Sequence, residues 1–318
     1  MAGCPLGQRS LPTIAPIGAR PFRSPPSGDR FPARTEPVCE PILRLETQAS
    51  AATERRLRQG LANGELELFY QPIVDLDDKR IREAEALMRW RRPGHGVVAP
   101  GAFLPAIEQR PIAATLGDWT IDDACAGLAL FREAGAVDFC VSVNLFGAQL
   151  RGGRLVASVR EALDRFCLPP EALQLEITEN IALADDDETL APLRELRALG
   201  VGLAFDDFGT GYGSLSLLKR VPLTRLKIDR SFVQNLCLDS RDGALVRAIV
   251  ALALDFGLDV VAEGVESSDQ EQALRRLGCL KGQGFLYGRP MPAAKLLKFI
   301  GRTPSLAWAP APVCAAQG

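Results

Sequence analysis

The chain has 318 residues, 47% hydrophobic and 24% charged, enough to bury one large core or two smaller ones. Its 37 Lys and Arg against 39 Asp and Glu leave a formal net charge of -2, which excludes a general electrostatic pull toward a nucleic-acid polymer or an anionic membrane. The 8 cysteines (Cys4, Cys39, Cys125, Cys140, Cys167, Cys237, Cys279 and Cys314) form no CxxC pair and read as reduced thiols of a cytoplasmic protein.

Residues 1–50 carry 9 of the 23 prolines, with arginine and serine between them and little periodicity. Such a segment buries too little apolar surface to offset its chain entropy, so it reads as a disordered N-terminal arm. The tail over 302–318 reads the same way, which leaves 51–301 as the folded domain. Within it, strand-like runs occur at Glu65–Tyr70, Glu83–Arg89, Phe139–Asn144, Leu173–Thr178, Val201–Asp206, Arg225–Ile228, Asp259–Glu263 and Gly282–Phe285. Apolar residues at three- and four-residue spacing predict helices over Asp118–Ala134, Gly153–Phe166, Asp187–Leu199, Asp242–Phe256 and Asp269–Leu277. Several of these end at a glycine (Gly135, Gly200, Gly257, Gly278), the residue that closes a last turn in the left-handed region at least cost. Eight strands alternating with helices over about 240 residues predict an α/β fold of TIM type, a (β/α)8 barrel, with a doubly wound open sheet as the alternative. No apolar stretch approaches the roughly 18 residues that span a bilayer, so a soluble protein with no membrane span is expected.

In such a barrel the functional groups sit at the carboxyl ends of the strands, where the loops form the open cup. Those ends present Gln71, Glu85, Asn144, Glu176, Asp206 with Asp207, Lys227 with Asp229, Glu263 and Gln283. Asp206 and Asp207 are adjacent carboxylates that repel each other, a pairing best tolerated where a cation binds both. The only histidine, His95, lies in the turn-like Arg92-Pro-Gly-His-Gly96, so a metal here must be held by oxygen. Glu85, Glu176, Asp206, Asp207, Glu263 and Asn144 supply hard oxygen donors, which suit Mg²⁺ or Mn²⁺ and disfavour zinc. They suffice for two ions a few ångströms apart, the arrangement that activates a water and clamps both oxygens in phosphodiester hydrolysis. Lys227 adds a charge that would orient that water or stabilise the transition state, and Asp229, two residues on, is placed to hold its ammonium. Asp207-Phe-Gly209 also spells a kinase metal triplet, but no His-Arg-Asp loop precedes it.

The motifs Ala84-Glu-Ala-Leu-Met-Arg-Trp90, Tyr70-Gln-Pro-Ile73, Val141-Ser-Val-Asn-Leu145, Leu175-Glu-Ile-Thr-Glu-Asn180, Asp206-Asp-Phe-Gly-Thr-Gly-Tyr212, Leu226-Lys-Ile-Asp-Arg-Ser-Phe232, Val261-Ala-Glu-Gly-Val-Glu266 and Gln283-Gly-Phe-Leu-Tyr-Gly-Arg-Pro290 lie within residues 55–300. Together they resemble the EAL-domain family of cyclic di-GMP phosphodiesterases. The resemblance implies a modified barrel whose first strand runs antiparallel to the rest, and a reaction that opens cyclic di-GMP to linear pGpG in bacterial signalling. It implies metal binding by Glu85, Asn144, Glu176, Asp206, Asp207 and Glu263, with Glu263 also a general base and Lys227 on the catalytic water. Arg89 is expected on a substrate phosphate, Gln71 near the dinucleotide, Glu266 near substrate or behind the ligands, and Gln283 closing the cup. Glu179 would anchor the loop after Asp207, and that loop is expected to carry the contacts of a homodimer. Phe146 and Gly213 stand where the family usually has serine, which puts the rate in question more than the reaction. The alternative function is a silent cyclic di-GMP receptor or interaction module of the same fold, distinguished by loss of ligands that this chain retains.

Overall fold

A computed structural model describes residues 40–178, 187–209, 218–237 and 240–300. The chain divides into the units Met1–Leu43 and Arg44–Gly318, and the second holds the barrel. Of the arm read over 1–50, residues 1–39 lie outside the described residues, as do the tail read over 302–318, Glu179 and most of the loop after Asp207, including Gly213; residues 40–50 belong to a helix, not to a disordered arm.

Among the described residues, ten strands form one sheet: β1 (Leu66–Asp75), β2 (Ile81–Arg92), β3 (Gly96–Val98), β4 (Cys140–Asn144), β5 (Leu173–Thr178), β6 (Gly202–Phe208), β7 (Arg225–Ile228), β8 (Asp259–Ala262), β9 (Lys281–Gln283) and β10 (Met291–Pro292). Eight of them close on themselves in the order β1-β9-β8-β7-β6-β5-β4-β2, with the ring completed by pairing of β2 to β1. The pairings from β2 through β4, β5, β6, β7 and β8 to β9 are parallel, whereas β1 is antiparallel to both of its ring neighbours. This is the modified TIM-type barrel that the sequence implied. β3 extends the β2 hairpin, and β10 pairs with Phe69 and Tyr70 of β1.

The parallel strands are short and nearly continuous in apolar residues because helices cover their outer faces while the barrel fills their inner ones. β5 is buried at five of its six positions and β7 at all four. The helix Ile112–Glu133 lays Leu116, Cys125, Leu128 and Phe131 against the barrel, and the Phe131 ring meets Tyr70 edge-on with centroids 5.1 Å apart. Helix ends follow local chemistry. The Ser267 hydroxyl accepts the Gln270 N–H, the Gln270 amide accepts the Ser267 N–H, and the helix Ser268–Arg276 starts there. Gly135, Gly200, Gly257 and Gly278, each at positive φ, stand at the helix ends read from the sequence.

Among the described residues, four α-helical segments fall outside the helices expected from the sequence: Glu40–Ala62, Gly147–Arg151, Arg230–Gln234 and Ala293–Ile300. The first carries 7 charged residues among its 23, and Leu57 on it is fully buried. Among the described residues, no helix is long and apolar enough to cross a membrane.

Candidate active site

Strand alternation sends every second side chain into the barrel, which sets which residues can meet. Glu85 of β2 lies opposite Gln71 of β1, and Asn144 of β4 lies opposite Glu176 of β5. Gln71 and Glu85 are therefore inside long strands rather than at strand ends, since β1 runs backwards and β2 continues to Arg92.

Asp206 and Asp207 need a different explanation, because consecutive residues of a regular strand point to opposite faces. Between β6 and β7 the register shifts: Phe205 pairs with Leu226, but Phe208 pairs with Ile228, so β6 carries one extra residue across that interval. The interval holds the two aspartates, and Asp207 sits at φ +54, in the left-handed region that aspartate enters more readily than most residues. The bulge turns both carboxylates to one side. Ligand atoms of Asp206, Asp207 and Glu263 lie within 4.8 Å of one another.

Lys227 is the hub of the cup. Its ammonium is 2.7 Å from Glu176 Oε2, 2.9 Å from Asp206 Oδ1, 2.5 Å from Glu263 Oε1 and 3.5 Å from Glu85 Oε2. The Lys227 and Glu176 side chains are 1% and 0% exposed. Asn144 Nδ2 donates to Glu85 Oε1 at 2.8 Å, and Gln283 Nε2 donates to Glu85 Oε2 at 2.6 Å and to Gln71 Oε1 at 3.2 Å. Gln71 Nε2 in turn donates to the Gly288 carbonyl at 3.2 Å. The amide chain thus fixes Glu85 from one side while Lys227 holds it from the other.

The electrostatics are unbalanced. Burial penalises the charged form of Lys227, but Asp206, Glu176, Glu263 and Glu85 outweigh it and hold the ammonium well above its ordinary value. Burial, then repulsion from Glu85, drives Glu176 well above the carboxylate range despite Lys227. Glu263 is pushed up to about 8 by burial and by Asp206 and Glu85, against the pull of Lys227. Asp207 is pushed up to about 6, by burial first and then by Asp206 and Asp229. One ammonium serves the five carboxylates of Glu85, Glu176, Asp206, Asp207 and Glu263, so ionising all five would leave four negative charges unbalanced, which is why Glu176 and Glu263 hold their protons. Glu176 Oε1, Asp206 Oδ1 and Glu263 Oε1 are buried without a directional hydrogen bond, although the last two lie within ion-pair distance of Lys227. A site of hard, unsatisfied oxygens with surplus negative charge fits divalent cations.

The remaining expected residues have other partners. Arg89 is half-buried, with its guanidinium 5.5 Å from the Phe69 ring centroid and donating to the Met88 carbonyl at 2.8 Å. Glu266 is exposed, and its N–H donates to the Gln270 amide oxygen at 2.8 Å. Asp229 does not hold Lys227: β7 ends at Ile228, and Asp229 instead accepts the Ser231 N–H at 2.9 Å as the cap of the helix Arg230–Gln234. Its carboxylate also hydrogen-bonds Asp207, so it acts on the bulge instead. Phe146 is buried, and its N–H donates to Gln149 Oε1 at 3.1 Å at the start of Gly147–Arg151.

Two glycines allow the rim to close. A Cβ on Gly284 would lie 2.1 Å from the Val265 carbonyl oxygen, and one on Gly264, at φ +69, would lie 2.5 Å from the Arg230 Cβ. The close approach lets Val265 N–H donate to the Gln283 carbonyl at 3.0 Å, tying the loop after Glu263 to Gln283. A cavity of about 190 Å³ lined by Asp75, Arg80, Arg82, Glu83 and Lys281 lies at the other end of the barrel and shares no residue with the cup.

The ordered motifs, the barrel with one reversed strand and the acidic cup coincide with a match to the EAL domain family model over residues 54–290. The chain belongs to the EAL domain family. It is 48% identical over 241 residues to the bifunctional diguanylate cyclase/cyclic di-GMP phosphodiesterase MucR of Pseudomonas aeruginosa, covering 76% of this chain and 35% of MucR. It is 42% identical over 247 residues to the cyclic di-GMP phosphodiesterase NbdA of the same organism, covering 78% of this chain and 32% of NbdA. The chain thus spans about a third of the length of these two relatives. Among solved structures, the PaMucR phosphodiesterase in complex with c-di-GMP matches with a TM-score of 0.73 at 47% identity, over 77% of this chain and 99% of that one. The EAL enzyme Bd1971 with cAMP and cyclic-di-GMP bound matches with a TM-score of 0.77 at 35% identity, over 80% of this chain and 69% of that one. In this EAL chain the glutamate of the signature triplet, Glu85, is the residue on which the Asn144, Gln283 and Lys227 contacts converge.

Proposed function

We propose that this chain hydrolyses cyclic di-GMP to linear pGpG with two divalent cations, Mg²⁺ or Mn²⁺. The observation that carries the reading is the cup itself: Glu85, Glu176, Asp206 and Glu263 within 3.5 Å of one buried ammonium, with Asp207 turned into the same site. Likeness at 47% identity to a phosphodiesterase solved with c-di-GMP supports the choice of substrate.

Glu85, Asn144, Glu176, Asp206, Asp207 and Glu263 would hold the ions. When bound, the ions would polarise the phosphoryl oxygen and lower the pKa of a coordinated water. The residues do the rest. Lys227, released from part of its carboxylate shell, would donate N–H hydrogen bonds to the attacking water or the phosphoryl oxygens and so stabilise charge that grows in the transition state. With the cations offsetting the negative charge of its neighbours, Glu263 would be ionised and could accept a proton from that water. Arg89, half-buried beside Glu85, pairs with a substrate phosphate. Gln71 and Gln283 orient Glu85 and line the substrate side, with Glu266 at the exposed rim. Glu179 and the loop after Asp207 would couple the cup to a homodimer, with the protein acting in the cytoplasm.

Incubation of the purified chain with cyclic di-GMP and either ion should yield pGpG, and Glu85→Ala should abolish the yield. Tight binding of intact cyclic di-GMP in the presence of both ions would replace the enzyme with a receptor.

A further inference from the structure

Beneath the cup lies a second polar layer inside the barrel, built from residues that neither the family motifs nor the cup chemistry uses. Glu83, Gln174, Arg225 and Lys281 each stand two residues before a cup residue on the same strand: Glu85, Glu176, Lys227 and Gln283 respectively. The period of a strand puts each pair on one face, about 6.6 Å apart along the strand. Arg225 is buried, and its Nη1 is 2.5 Å from Glu83 Oε2 while its Nη2 is 3.3 Å from Asp259 Oδ2. Lys281 Nζ is 2.6 Å from Glu83 Oε1 and 2.9 Å from the same Asp259 oxygen. Arg225 also donates to Gln174, whose amide donates to Thr224 Oγ1 at 3.2 Å.

The four charges form a closed cycle, Glu83 to Arg225 to Asp259 to Lys281 and back. It joins β2, β7, β8 and β9, and Gln174 adds β5. β2 and β7 are not hydrogen-bonded neighbours, since β4, β5 and β6 separate them in the sheet. Backbone ladders fix only adjacent strands, whereas this cycle fixes strands across the barrel. The strands it ties are those that deliver Glu85, Lys227 and Gln283.

We propose that Arg225, with Glu83 and Lys281, is a positioning residue for the cup: the cycle sets the cross-barrel spacing of Glu85, Glu176 and Lys227, and so the affinity of the cup for divalent cations. This role rests on the phosphodiesterase reading only in taking the cup to be a cation site.

The test is Mn²⁺ titration calorimetry on the folded full chain, with thermal midpoints and turnover measured on the same samples. Arg225→Met should weaken Mn²⁺ binding about tenfold, the scale seen when a group behind metal ligands is lost, and should lower kcat with KM little changed. The double variant R225M/E83M leaves no buried charge unpaired between these two positions, so it should regain the midpoint lost in the single variant. It should nevertheless keep the weakened Mn²⁺ affinity, while Arg225→Lys restores part of it. Mn²⁺ affinity equal to wild type in both R225M and R225M/E83M would overturn the positioning role, as would a wild-type chain that takes up no Mn²⁺. A wild-type chain that binds Mn²⁺ yet forms no pGpG would remove the catalytic reading and leave the positioning role standing or falling on the variants.

Discussion

Lys227 Nζ and Glu176 Oε2 are 2.7 Å apart, with both side chains sealed from solvent at the centre of the barrel mouth. The pair is embedded among Glu85, Asp206 and Glu263, so the ammonium is the resident counter-charge of the whole cup. Removing one partner of a buried ion pair typically costs about 3–5 kcal/mol, because the other charge is left uncompensated. Lys227→Met should therefore lower the stability of the metal-free chain by about that amount, read by urea denaturation. Added Mn²⁺ should recover most of the loss. An unchanged denaturation midpoint would mean that the carboxylates are not held by Lys227.

The bulge at Asp206 and Asp207 makes a conformational prediction separable from charge. Asp207 occupies the left-handed region at φ +54, which asparagine tolerates and a β-branched residue does not. Asp207→Asn should keep the fold while weakening Mn²⁺ binding, whereas Asp207→Val should cost a further amount of about 1–2 kcal/mol in stability. Equal stabilities of the two variants would count against the bulge.

Acid stability should depend on the floor of the barrel. Burial works against the charged form of Glu83, but Arg225 and Lys281 outweigh it and hold the carboxyl below its ordinary value of 4.5. The folded state thus binds this proton more weakly than the unfolded state. The contribution is fully present above about pH 4.5 and is lost as pH falls through the lower folded value. Glu83→Gln should lower stability at neutral pH and flatten the stability profile below about pH 4.5. A variant profile parallel to wild type through that range would contradict the assignment.

Gly284 tests the closure of the rim. A side chain there would meet the Val265 backbone at 2.1 Å, and the contact ties the Glu263 loop to Gln283. Gly284→Ala should lower the thermal midpoint and depress turnover together. Gly257→Ala, at a surface helix end with open space around it, should lower only the midpoint, through strain at φ +68.

Sequence pattern locates these features unevenly, for physical reasons. β5 and β7 match their expected bounds residue for residue, because short apolar runs between turn signals leave little room for shift. Pattern alone stops β1 at Tyr70, because Pro72 interrupts strands. The strand continues to Asp75 because Pro72 falls where β1 changes partner from β10 to β9, in a gap where a missing N–H costs little. Most of the oxygen-rich cup is legible because Asn144, Asp206 and Glu263 sit at the ends of strand-like runs, whereas Gln71 and Glu85 lie within β1 and β2. The bulge is not, since one-residue register shifts leave no trace in hydrophobic periodicity. Counting two residues along β7 puts Asp229 on the Lys227 face, but the strand ends one residue earlier. The ion-pair cycle at Arg225 also escapes a reading that looks only at strand ends. Its signal is present: charged or amide residues recur two positions before Glu85, Glu176, Lys227 and Gln283, at positions that alternation places inside the barrel.

The most direct test of the central claim is mass spectrometry of the product formed from cyclic di-GMP in ¹⁸O-labelled water with Mn²⁺ or Mg²⁺. Hydrolysis at this cup predicts linear pGpG carrying a single ¹⁸O on its new terminal phosphate, formed by the wild-type chain with either ion and not by Glu85→Ala. Recovery of intact, unlabelled cyclic di-GMP from the wild-type chain with both ions supplied would contradict it.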